Sequence, residues 1–374
     1  MHSGALWHLA DRLRDQYRSF LETEFSFRHP ILRRSFAEAL RSLELVREPY
    51  LELSPRYHRS NPPRALFREL LGQDVFSGLL KALHGERPLY SHQEQALRRV
   101  WSGNNVVVAT GTGSGKTEAF LLPILLSLYE EWRRGTLGPG VRALILYPMN
   151  ALAFDQRARL AEIARVLKEE GSPFRFTFGQ YTGQTPENER DKERAALDWE
   201  EVRAPHMIRE DGRVVHGELI YRREMRDTPP HILITNYSML EYLLIRPWDS
   251  PLFDGEAARH WRFLVVDEVH TYSGVRGQEL ALLLRRLKVR LRQAGNRNRL
   301  FCIGTSATLF TGQEAKQEAA QFAERLFGEP FSADDVILGQ RADLSEVFPH
   351  DELGDLGEPV SRLKAVLRDG PQPL

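Results

Sequence analysis

Two hydrophobic rhythms run along the chain. In residues 1–88, Leu6, Leu9, Leu13 and Tyr17 recur at helical spacing, and the segment reads as helical pieces broken by loops. The stretch SPRYHRSNPPR, Ser54 to Arg64, is a proline-punctuated loop that marks a boundary. From Leu89 short apolar runs alternate with amphipathic stretches. NVVVAT, RALILYP, FRFTFGQY, HILITN, RFLVVDE and RLFCIGTSAT predict strands. Helices are predicted over Lys116–Arg133, Ala151–Glu170, Ser238–Ile245 and Gly277–Arg292. Such alternation gives a parallel sheet covered by helices on both faces, with ligands bound at the carboxyl ends of the strands. Residues 187–230 interrupt it: a charged stretch, ENERDKERAALDWEE, precedes MIREDGRVVHGELIYRREMRD, which reads as a small hairpin turning at Asp-Gly. After Leu326 the chain becomes acidic and irregular, a tail or linker with one short helix near Val360–Arg368. The predicted organisation is a helical region at 1–88, an α/β domain at 89–328 and a tail at 329–374.

Composition narrows the class. A hydrophobic share of 42% and a charged share of 27% are ordinary for a chain with a sizeable core. The 51 basic and 51 acidic residues cancel, so no global attraction to a polyanion follows, although a local basic groove remains open. The single cysteine, Cys302, excludes a disulfide within the chain and fits a reducing cytoplasm; on its strand it reads as a small buried hydrophobe. The charged N-terminus is not a signal peptide, and the longest apolar run, FLLPILLSLY, is about half of a membrane span. No membrane partner is expected.

The candidate chemistry sits at VVVATGTGSGKTEAF. A strand that ends in glycines and opens a helix aims backbone N–H groups and a positive dipole at one point. Thr110, Gly111, Thr112, Gly113, Ser114 and Gly115 would cradle phosphates, Lys116 would reach the β and γ phosphates, and the Thr117 hydroxyl would bind Mg²⁺. The strict pattern has glycine six residues before the lysine; here that residue is Thr110. FLVVDEVH supplies the acidic partner: Asp267 to hold Mg²⁺ and Glu268 to polarise the attacking water. The cofactors implied are ATP and Mg²⁺.

ATGTGSGKTE, LILYPMNALAFDQ, LITNYSMLEY, VVDEVHTYSG and GTSATL occur in that order. Together they resemble the first RecA-like domain of superfamily 2 helicases of the DExH type, over roughly Leu89 to Leu309. YPMNALAFDQ and DEVHTYSGVRGQELALLLRRLK resemble the mitomycin-repair-factor-like bacterial branch, whose members carry a zinc-containing C-terminal region; similar motors occur in phage defence. DEAD-box RNA helicases fit less well, because the box reads Asp-Glu-Val-His and no PTREL stretch follows the second strand.

The resemblance implies a RecA-like P-loop domain. Tyr90 and Gln93 of LYSHQEQAL are then candidates to stack on adenine and bond its edge. His270 would link the γ-phosphate to the Ser-Ala-Thr motif, where Ser306 and Thr308 couple hydrolysis to domain movement. Asn150, Thr235 and Asn236, with Tyr181, Thr182 and Gly183 of YTGQT, would touch the backbone of one nucleic-acid strand; a helix cap is an equal reading for Asn236. The resemblance favours DNA over RNA, in repair or phage defence. It also implies a second RecA-like lobe with an arginine finger, and neither is read after Leu309. The chain is therefore expected to be a fragment of a longer helicase, one subunit of a split motor, or a degenerate clamp; its irregular end favours the first or a linker. Hydrolysis by the chain alone is expected to be slow. The alternative function is an ATP-dependent nucleic-acid or protein binding switch without unwinding.

Overall fold

Val106, Val107 and Val108 point alternately to opposite sides of a sheet, and both sides are buried, which is why this run is apolar at every position. The computed structural model describes residues 5–43, 45, 56–111, 113–188, 208–210, 213–307 and 313–342. It divides into two compact units, Met1–Arg56 with Arg341–Leu374, and Tyr57–Gln340.

In the smaller unit, α1 (Ala5–Glu24) and α2 (Pro30–Ser42) are joined by a turn in which Phe25 and Phe27 meet Phe36 edge-on. The predicted helix near 360–368 lies outside the described residues.

The larger unit is built on β1 (Val106–Ala109), β2 (Ala143–Tyr147), β3 (Thr177–Gln180), β4 (Ile208–Glu210), β5 (Arg213–Leu219), β6 (Ile232–Asn236), β7 (Phe263–Val266), β8 (Phe301–Ser306) and β9 (Val336–Leu338). The order across the sheet is β4-β5-β3-β6-β2-β7-β8-β1-β9. All pairings are parallel except β4 with β5, the expected hairpin, whose turn residues 211 and 212 lie outside the described set. One face carries α3 (Pro63–Leu71), α4 (Ser77–Ala82), α5 (Ser91–Trp101), α6 (Lys116–Arg133) and α7 (Asn150–Glu169). The other carries α9 (Tyr237–Ile245), α10 (Gly274–Gln293) and α11 (Gln313–Phe327), while α8 (Arg222–Asp227) follows β5. This is the expected α/β, RecA-like architecture. No helix among the described residues is long and apolar enough to cross a membrane.

Two elements differ from the expected pattern. Val336–Leu338, read as part of a tail, pairs parallel with β1 and forms the sheet edge beside the phosphate loop. Three apolar residues among acidic ones carry too little periodicity to be seen as a strand. α11 was not anticipated either, although its Ala315, Ala319, Ala323 and Leu326 lie on one buried face. Cys302 is buried on β8, and burial pushes its thiol up to about 12.

Candidate active site

β1 stops at Ala109, and the chain turns through Thr110–Gly115 into α6. Gly113 and Gly115 adopt φ of +73° and +71°, the left-handed region that favours glycine. At Gly115 space is also short: a Cβ there would fall 2.4 Å from Gln93 Nε2. The loop is held from behind by α5. Gln93 Nε2 donates to the Gly115 carbonyl at 2.8 Å, and His92 Nε2 donates to the Ser114 carbonyl at 2.9 Å. Burial holds the His92 imidazole below its usual pKa, in keeping with this neutral donor role. Thr110 and Ser114 join their hydroxyls across the loop. Gln93 Oε1 accepts from the Tyr90 N–H at 2.8 Å, so the glutamine bridges the helix start and the loop. Tyr90 stacks on His92 with ring centroids 5.6 Å apart. Tyr90, Gln93, Gly113 and Gly115 line a cavity of about 140 Å³. Thr112 lies outside the described residues.

The acidic pair reaches the same place because β1, β8 and β7 are neighbours. The register sets Ala109 beside Ser306 and Val266 beside Gly304, so three motifs distant in sequence end along one sheet edge. Lys116 Nζ lies 3.3 Å from Glu268 Oε1 and donates to the Thr110 carbonyl at 3.3 Å. Glu268 Oε2 accepts from the Ala307 N–H at 3.0 Å. Glu268 itself is left-handed, φ +50°, a strained backbone for a non-glycine residue. His270 Nδ1 lies 2.9 Å from Ser306 Oγ and 3.3 Å from Glu268 Oε2, so the histidine joins the box to the end of β8. The Thr305 hydroxyl donates to Asp267 Oδ1. Burial, aided by the Glu268 charge, raises the Asp267 carboxyl above its ordinary pKa, against the Thr305 hydrogen bond and Lys116. Thr308 lies outside the described residues.

These residues fit a magnesium nucleotide. A half-buried carboxylate that resists ionisation gains from a cation, and one oxygen of Asp267 is already oriented by Thr305. The Thr117 hydroxyl accepts from Gln156 Nε2 at 3.3 Å, which fixes its position at the start of α6. No cluster of three metal-binding side chains exists among the described residues, so an ion here would complete its shell with phosphate oxygens and water, as magnesium does.

The residues expected to meet nucleic acid fall into two groups. Asn150 opens α7 and Asn236 ends β6; Asn236 Nδ2 donates to Asn150 Oδ1 at 2.7 Å, and Asn236 Oδ1 accepts from the Met239 N–H at 2.8 Å, capping α9. Gly183 is exposed at a loop tip. Thr235, Tyr181 and Thr182 are buried. Thr235 donates to the Tyr181 carbonyl, the Tyr181 hydroxyl donates to Asp249, and Arg222 donates to the Thr182 carbonyl at 2.9 Å. Their side chains shape the loop from inside.

The family model for DEAD/DEAH box helicases matches residues 90–208 and 208–316. The chain belongs to the DEAD/DEAH box helicase family. It is 32% identical over 398 residues to Druantia protein DruE of Escherichia coli (strain UMEA 4076-1), covering 84% of this chain and 21% of that protein. It is 31% identical over 283 residues to the uncharacterized ATP-dependent helicase YprA of Bacillus subtilis (strain 168), covering 75% and 29%. The DUF1998 helicase MrfA bound to DNA and AMPPNP shares its structure at a TM-score of 0.51 and 27% identity, over 82% of this chain and 34% of that one. The chain thus spans from about a fifth to a third of the length of these relatives.

Three residues of this helicase domain were not singled out by their sequence. His92 is adjacent to Gln93 in LYSHQEQAL but supports the loop only because α5 packs behind it. Gln156 ends YPMNALAFDQ and meets Thr117 across two helices. Thr305 directly precedes the Ser-Ala-Thr motif, which was the one available signal; that it meets Asp267 follows from β8 lying next to β7.

Proposed function

We propose that this chain is the ATP-binding half of a superfamily 2 motor that translocates on DNA; its motor domain, read from the sequence as residues 89–328, takes in β9 (Val336–Leu338) as well, and the chain beyond β9 leads to a second RecA-like lobe. The observation that carries this reading is the convergence of Lys116, Asp267, Glu268, His270 and Ser306 on the ends of three adjacent strands. In this arrangement Lys116 stands between the Thr110 carbonyl and Glu268. Turning toward the β and γ phosphates would withdraw its charge from Glu268 and leave that carboxylate free to accept the proton of an attacking water. Magnesium, held by Thr117 and Asp267, would offset the negative charge on the terminal phosphates. His270 and Ser306 would pass the change at Glu268 to the end of β8. The Asn150–Asn236 pair and Gly183 offer small polar groups at the neighbouring strand ends, suited to sugar and phosphate contacts without base readout.

A catalytic glutamate already hydrogen-bonded to the motif at the end of β8 favours a motor over a passive binding switch. An arginine finger from the second lobe is worth ~10³–10⁵ in rate, so slow turnover is expected from this chain alone. The test is ATP hydrolysis by this chain and by a longer chain carrying the second lobe, each with and without single-stranded DNA or RNA. Strong stimulation of the longer chain by DNA supports the proposal. Equal rates with and without nucleic acid contradict it, and stimulation by RNA alone assigns a different track.

A further inference from the structure

The edge of the sheet opposite the phosphate loop holds a second concave site. β7 and β8 run parallel, so their first residues, Phe263 and Phe301, start at that edge, where α6 also ends. A cavity of about 500 Å³ opens there, lined by Arg259, His260, Arg262, Arg299, Phe301 and Glu131 among others. That volume lies within the range of small-ligand sites.

Its charges are unbalanced. The Arg262 guanidinium lies 5.8 Å from the Phe263 ring centroid and 5.6 Å from that of Phe301, and Arg299 lies 5.9 Å from Phe301. Among the described residues no hydrogen-bond acceptor and no carboxylate within ion-pair distance is found for either side chain. Glu131, the carboxylate in the lining, is committed to Arg142 at 3.0 Å. Arg259 shares an exposed pair with Glu256. Burial lowers the pKa of both Arg262 and His260 even though the Glu131 charge acts in the opposite direction on each, so one nearby carboxylate does not offset the burial of these groups. The negative end of the α6 dipole also faces this edge, and the three arginines exceed it.

Arg262, partly buried over two aromatic rings, is restricted in the directions its fork of donors can face, and exposed Arg299 reaches the same opening beside Phe301; a guanidinium fork matches the oxygens of a phosphate. We propose that this cavity binds a phosphate group, carried by a nucleic-acid backbone or by a free nucleoside polyphosphate, at a site separate from the loop around Lys116. Arg262 and Arg299 are the principal donors, and Arg259 and His260 extend the site.

The test uses the full chain with Lys116→Ala, which silences the phosphate loop. Calorimetry with inorganic tripolyphosphate and fluorescence anisotropy with a labelled single-stranded oligonucleotide give two readouts. Arg299 is exposed, so Arg299→Glu is compatible with folding, as a thermal melt will verify; Arg262→Gln is the second variant, and Arg68→Glu on α3 is a remote charge-reversal control. Removing one charged donor is expected to weaken binding about tenfold. Loss of tripolyphosphate binding in Arg299→Glu supports a free polyphosphate as ligand, and loss confined to the oligonucleotide supports a nucleic-acid backbone. The proposal is overturned if the Lys116→Ala chain binds neither probe, if Arg299→Glu binds both as its parent does, or if Arg68→Glu weakens either equally.

Discussion

Replacing Glu268 with glutamine keeps the size of the side chain and one oxygen to accept from the Ala307 N–H, and removes the charge facing Lys116 and His270. Two effects of opposite sign follow. In hydrolysis the variant lacks its general base, a loss of ~10²–10⁴ in rate, or about 3–5 kcal/mol of barrier. In binding, the carboxylate competes with phosphate for Lys116. A unit pair 3.3 Å apart attracts by about 5 kcal/mol at an effective dielectric near 20. Lysine retains the Thr110 carbonyl, and both side chains keep some contact with water, so the net gain on removing the pair is about 1.5 kcal/mol. ATP should then bind about tenfold tighter while turnover collapses. A fluorescent ATP analogue measures the affinity, and phosphate release in a single turnover measures the rate, on the same sample. Parental turnover in Glu268→Gln, or weakened nucleotide binding with turnover lost, would refute the assigned competition between Glu268 and phosphate for Lys116.

Asp267→Asn should raise the melting temperature of the nucleotide-free protein while abolishing magnesium-dependent hydrolysis, because the charge it removes is held against burial; calorimetric melting and an ATPase assay read the two together. His231 is buried and neutral, its Nδ1 accepting from the Thr177 N–H at 2.9 Å, and burial pushes its pKa from 6.5 to about 3. The folded value is the lower one, so its contribution is complete above pH 6.5 and is lost as pH falls toward 3, by at most ~5 kcal/mol; denaturant melts across that window should show a slope that His231→Gln reduces. Asn236→Ala removes the α9 cap and the bond to Asn150, and should cost about 1 kcal/mol and weaken oligonucleotide binding, read by melting and anisotropy. Gly115→Ala should lose nucleotide affinity through both its +71° φ and the approach to Gln93, measured by titration with the same ATP analogue.

Hydrophobic patterning placed β1, β2, β3, β6, β7 and β8 and the helices that follow β1, β2, β6 and β7, because most of these strands, covered on both faces, begin in apolar runs, with β6 and β8 turning polar toward their carboxyl ends, and the helices between them carry an apolar stripe. It also identified Lys116 and the Asp267–Glu268 pair, since a glycine turn between strand and helix and an acidic strand end are local features that depend on few neighbours. Strand order is not a local property. That β8 lies between β1 and β7, and so brings Lys116, Ser306 and Glu268 together, was decided by how the sheet packs. The same holds for His92 and Gln93 behind the loop, for Gln156 on Thr117, and for β9, whose three residues form a strand only because β1 offers a free edge. Thr235 and Asn236 show the division most plainly: adjacent polar residues in one motif, of which one is turned into the core and the other reaches the surface. Sequence determines which groups are available for chemistry, and the direction each one faces follows from the side-chain alternation along a strand whose register is set by its partners.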